Sequence, residues 1–74
     1  MSTAVLTLEG LKSISFDESA VINNETFPGN YRNFKDFCYL KIFNTPGLIE
    51  IQTNEYIVIF DSDRVVSLEI HSEQ

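Results

Sequence analysis

A single cysteine, Cys38, rules out an internal disulfide, and with one histidine, His71, it makes too poor a ligand set for a structural zinc. Such staples matter in a chain of 74 residues. At this size only about 60% of the unfolded surface is buried on folding, and a lone core is marginal. An efficient core or self-association has to supply the difference; 43% apolar residues is enough for either, and a homo-oligomer is the expected outcome. Glycine is scarce, three residues at positions 10, 29 and 47, so no glycine-rich phosphate loop can be drawn. Long apolar runs are absent too, and nothing approaches the roughly 18 consecutive apolar residues of a membrane-spanning helix. The opening decapeptide "MSTAVLTLEG" has no positive region of the kind that starts a signal peptide. The expected setting is the reducing cytoplasm, where one free cysteine is ordinary and the sequon Asn24-Glu25-Thr26 has no meaning.

Positive charge is the other shortage. Five basic residues stand against eleven acidic ones, for a formal charge of −6. Nucleic-acid affinity comes largely from neutralising phosphates, and anionic membranes attract the same cations, so neither is an expected partner. Net acidity favours solubility and long-range steering towards a basic protein.

Catalytic constellations are missing. Cys38 and His71 are the only thiol–imidazole pair. The thiol lies in an apolar run, where burial makes it inert, and the imidazole lies near the chain end, where fraying is expected. The acidic pair of "DSDR" (61–64) resembles the start of a calcium loop. Such a loop needs glycine at its sixth position and glutamate at its twelfth, where this chain has Val66 and Ser72. No enzyme activity and no cofactor are expected.

What is present is β-patterning. In "LIEIQT" (48–53), Ile49, Ile51 and Thr53 alternate with Leu48, Glu50 and Gln52. "YIVIF" (56–60) is apolar on both faces and reads as a central, covered strand. "VVSLEIH" (65–71) sets Val66, Leu68 and Ile70 against Val65, Ser67, Glu69 and His71. The links are turn-forming. "NTPG" (44–47) has Pro then Gly, as in a type II turn; Asn54 tolerates left-handed backbone; and Asp61 and Asp63 can bond their own main chain. Residues 37–71 therefore read as an antiparallel meander.

Upstream, 3–16 reads as one long strand broken at Gly10, with Ile14 and Phe16 inward and Lys12 nearer the start of that face. Residues 17–30 read as a polar loop with at most a short edge strand near Ala20–Ile22, and as the best candidate for a partner-binding loop.

The stretch "NYRNFKDFCYLKIF" (30–43) holds three of the five basic residues and five of the nine aromatics. At helical spacing Tyr31, Phe34, Cys38 and Ile42 share a face, and Asn30 is placed to cap it. As a strand, Cys38, Leu40 and Ile42 oppose Phe37, Tyr39, Lys41 and Phe43. The combined reading is a helical turn over 30–36 followed by a strand over 37–43. Interleaved bases and rings can stack on single-stranded nucleic acid, but three cations are few in an acidic protein, and aromatics are the main core-fillers of small domains. Tyr31, Arg32, Phe34, Lys35, Phe37, Tyr39, Lys41 and Phe43 are therefore assigned to an oligomer or ligand interface.

The expected fold is one domain over 1–74, mainly β: a small antiparallel meander, twisted sheet or partial barrel of about five strands with one short helical segment near 30–36. The expected function is a non-catalytic protein-binding module, a small acidic inhibitor or immunity-type protein that acts on a basic or nucleic-acid-binding partner. Its acidic surface would comprise Asp17, Glu18, Glu25, Glu50, Glu55, Asp61 and Asp63, with Glu69 beside them. The alternatives are a homo-oligomeric regulator binding a small anionic ligand between subunits through Arg32 or Lys35, and a structural component of a larger assembly.

Overall fold

The computed structural model describes residues 1–10 and 12–72; Leu11, where the second expected strand segment begins, lies outside the described residues with Glu73 and Gln74. Among the described residues there are seven strands and one α-helix: β1 (Thr3–Leu8), β2 (Lys12–Asp17), β3 (Val21–Ile22), β4 (Glu25–Thr26), α1 (Phe34–Phe43), β5 (Leu48–Gln52), β6 (Ile57–Asp61) and β7 (Val65–His71). They form two antiparallel sheets, β2-β1-β7 and β4-β3-β5-β6, which do not close into a barrel. The fold is mainly β with one short helix, as the sequence indicates.

The strands follow from alternation. In β1, Ala4, Leu6 and Leu8 are buried; across the hairpin they pair with Phe16, Ile14 and Lys12 of β2. The broken long strand is thus a hairpin, and its turn carries Gly10 at φ +90°, a backbone conformation costly for a side-chain-bearing residue. In β5, Ile49 and Ile51 are buried and Leu48 faces out, as the alternation requires.

Three expectations are corrected. The first concerns the aromatic stretch: 37–43 is not a strand, and the helix is not confined to 30–36. One helix spans Phe34–Phe43, capped by Asn33 rather than Asn30; the Asn33 side chain accepts a hydrogen bond from the Asp36 N–H at 2.8 Å. Helical winding buries Phe34, Phe37, Cys38 and Ile42 together, whereas a strand would have put Phe37 opposite Cys38. Burial of that stripe outweighs local β-propensity.

The second correction is to the meander. β6 does not turn back to pair with β7; one 3₁₀ turn over Ser62–Arg64 carries the chain into the other sheet, where β7 pairs with β1. β6 is therefore an edge strand and not a central one. Its Ile57 and Ile59 are 60% and 59% exposed. A bulge opposite Thr7 and Leu8 also shifts the inward set of β7. Leu8 pairs with Val65, Thr7 with Ser67, and the unopposed Val66 turns outward, leaving Val65, Leu68 and Ile70 against the core.

The third correction is to the loop over 17–30. It contains the β3–β4 hairpin, and β3 is internal, paired with both β4 and β5. Asn23 and Asn24, both at positive φ (50° and 66°), make the two-residue connection, as expected of a tight hairpin turn. Asn23 N–H also donates to Glu50 C=O, and its Oδ1 accepts from Glu50 N–H. Left-handed geometry thus falls at these residues and not at Asn54.

All these elements except β4 contribute to one core. Leu6, Ile22, Phe37, Cys38, Ile42, Ile49 and Ile51 are its largest fully buried members. Among the described residues, no helix is long and apolar enough to cross a membrane.

Candidate functional site

The aromatic stretch divides across α1. Phe34 and Phe37 are buried, with ring centroids 6.3 Å apart; Tyr31, half-buried, sits edge-on to Phe37 at 5.0 Å. Tyr39 and Phe43 face outward, 5.6 Å apart, and Leu40, which the sequence reading did not assign, is exposed with them. Arg32 pairs with Asp36 at 3.4 Å, and Lys35 is exposed. Lys41 donates to Glu25 Oε2 at 2.6 Å while Tyr31 OH donates to Oε1 at 2.9 Å, so Glu25 ties β4 to the helix. These two donors hold the Glu25 carboxyl below its usual pKa, while the hydrogen bond to Glu25, and then burial, pushes the Tyr31 hydroxyl up. A depressed carboxylate pKa stabilises the fold above the unfolded value, and that contribution is lost as pH falls through the folded one. The β4–α1 link should therefore persist at neutral pH and loosen only in acid beneath the normal carboxylate range. This is measurable as the pH dependence of the Lys41 side-chain NMR shifts.

Cys38 is wholly inside, and burial pushes its thiol up to about 12. It should be silent to iodoacetamide near pH 8 in the folded protein and react fully once denatured, as mass spectrometry would read.

The acids are spread widely. Glu18 accepts from Ser2 N–H at 2.6 Å, and Glu50 lies on the outer face of β5 opposite Ile59. Asp61 accepts from Asp63 N–H at 2.9 Å at the far end of β6. Asp17 accepts from the Ser19 hydroxyl at 2.6 Å and from Ser19 N–H, and these donors hold its carboxyl below the usual carboxylate range. Two acids from distant parts of the chain, Asp17 and Glu55, converge on one depression of about 280 Å³ that no Lys or Arg lines.

That depression is one end of a cleft between the edges of the two sheets. Two further depressions, of about 360 and 530 Å³, continue it between β2 and β6; the first shares Ser15 and Tyr56 with its neighbour, and the second shares Lys12 and Val58. Tyr56, half-buried, spans the cleft, its hydroxyl donating to the Ser15 carbonyl at 2.5 Å. Burial, then the Glu55 carboxylate, raises the Tyr56 pKa, so the donor proton is retained. Tyr56→Phe should cost about 1 kcal/mol, the worth of one net hydrogen bond, as a lowered urea midpoint without change of slope.

Hydrogen-bond parity shows which backbone groups face the cleft. The β5–β6 ladder is bracketed by Thr53 N–H to Tyr56 C=O (2.8 Å) and Ser62 N–H to Gly47 C=O (2.9 Å). With the observed register, Val58 and Phe60 are the hydrogen-bonded partners of Ile51 and Ile49. The N–H and C=O of Ile57 and Ile59 therefore point away from β5, to the free edge. On β2 the Ser15 carbonyl points to the same cleft, and Ser13 shares its parity.

Comparison with protein-family models, with curated proteins and with solved structures finds no match.

Proposed function

We propose that this protein is a non-catalytic protein-binding module of the cytoplasm, a small acidic inhibitor that occupies a basic surface of a partner such as a nucleic-acid-binding protein. The observation that carries this reading is that Asp17 and Glu55 both line the depression at one end of the cleft, with no Lys or Arg among its described lining residues. Carboxylates in a depression that no described Lys or Arg of their own chain lines are suited to lysine or arginine from another, and the net charge of −6 steers such a partner in. Selection of a random-peptide display library against the full chain tests it. Enriched peptides should carry lysine or arginine, and enrichment should fall at about 0.5 M salt, where screening reaches within a few ångströms. Enrichment blind to charge, or of acidic peptides, would contradict the reading.

A second reading is favoured by the outward Tyr39–Leu40–Phe43 face of α1: self-association, with Arg32 or Lys35 receiving an anionic ligand between subunits. Light-scattering mass at low and at about 0.5 M salt discriminates the two. A salt-resistant oligomer supports self-association, and a monomer removes it.

A further inference from the structure

The backbone of the cleft has a use beyond charge. β6 presents the N–H and C=O of Ile57 and Ile59 to an unpaired edge, and its run Ile57-Val58-Ile59-Phe60 lacks the lysine, proline or bulge that ordinarily blunts such an edge. Across the cleft, the Ser15 carbonyl is already taken by Tyr56, so β2 offers a less complete row of backbone groups than β6. Resting on the reading above, we propose that β6 captures an extended segment of the basic partner as an added antiparallel strand, with a lysine or arginine of its C-terminal end beside Asp17 and Glu55.

The direction follows from the polarity of the cleft. Tyr56, just before β6, lies at the Asp17–Glu55 end, and β6 runs towards the depression lined by Glu9, Lys12, Asp61 and Arg64. There the signs balance, and Arg64 pairs with Glu9 at 3.7 Å. An antiparallel strand on β6 enters at this balanced end and finishes at the acidic one. Its side chains cover the bare flanks of Ile57 and Ile59 on one face and meet Val58 on the other. A second copy of this chain fits less well. Laying β6 antiparallel on itself about Val58, the register that matches Ile57 with Ile59, sets Glu55 against Asp61 at both ends, and like charges directly opposite are destabilising.

The test is an NMR titration of the full ¹⁵N-labelled chain with a synthetic peptide of about eight residues, the length of an ordinary strand. The peptide is capped at both ends, alternates valine and threonine, and carries lysine at its last two positions. Binding should slow exchange of the Ile57 and Ile59 amides. N-methylation of the peptide nitrogens that face β6 should weaken binding at least about tenfold, as should moving the lysines to the other end. Binding that protects other amides, or that ignores N-methylation, overturns strand addition while the basic-partner reading stands. Absence of binding at millimolar peptide also overturns it. A glutamate-bearing peptide that protects Ile57 and Ile59 as well as the lysine one does the reverse: strand addition stands and the basic partner falls.

Discussion

Phe37→Ala is expected to unfold the protein at room temperature. Phe37 is fully buried on the inner face of α1, with the rings of Tyr31, Phe27 and Phe34 at centroid distances of 5.0, 5.9 and 6.3 Å. Truncating such a phenylalanine costs about 3–5 kcal/mol, the lost transfer energy plus the cavity left behind. A core in a chain this short rarely supplies more than about 3–5 kcal/mol in all. Near-UV circular dichroism should lose its aromatic signal, and amide NMR dispersion should collapse. Phe43→Ala, at an exposed position on the same helix, should stay within about 0.5 kcal/mol of the parent. The contrast separates the two roles that a stretch so rich in aromatics can have. A folded, stable Phe37→Ala variant would show that the ring serves an interface instead of the core.

The second large effect lies in β6, where neighbouring prolines should behave oppositely. Val58 N–H points into the ladder with β5, so Val58→Pro removes a sheet hydrogen bond and should cost about 3 kcal/mol or more. Ile59 N–H points to the open edge, where proline is tolerated, so Ile59→Pro should leave the chain folded with a smaller loss. Urea denaturation of the pair reads the difference directly. Equal destabilisation would mean that the edge of β6 is not free as described.

Much of the fold was legible because alternation is a local signal. The buried sets Ala4-Leu6-Leu8, Ile14-Phe16 and Ile49-Ile51 follow from period-two patterning. Where local and tertiary preferences disagree, the sequence misleads. "FCYLKIF" has the composition of a strand, yet as a helix it buries Phe37 and Cys38 together in the common core. "YIVIF" is apolar enough for a covered strand, but whether a strand is covered depends on which others pair with it. The pairing of β7 with β1, across more than half the chain, leaves β6 at an edge. Val66 faces outward because of a bulge that no periodicity marks.

The candidate site was less legible for the same reason. Asp17 and Glu55 were recognised as acids, but their convergence on one depression is a product of the non-local topology. Tyr56, Ile57, Ile59 and Ser15 carried no signal beyond β-propensity. An isoleucine-rich run with no charged residue inside it is the one local hint of a strand whose edge is available for pairing. Glu25, by contrast, looked like a free surface acid and is engaged by Lys41 and Tyr31.

The most direct measurement of the central claim compares the affinity of the capped lysine-terminated peptide for the parent chain and for Ile59→Pro, once NMR has shown that the variant is folded. Strand addition at β6 predicts a loss of at least about tenfold, because proline removes the donor at the free edge while leaving Asp17 and Glu55 in place. Unchanged affinity in a folded Ile59→Pro chain would contradict it.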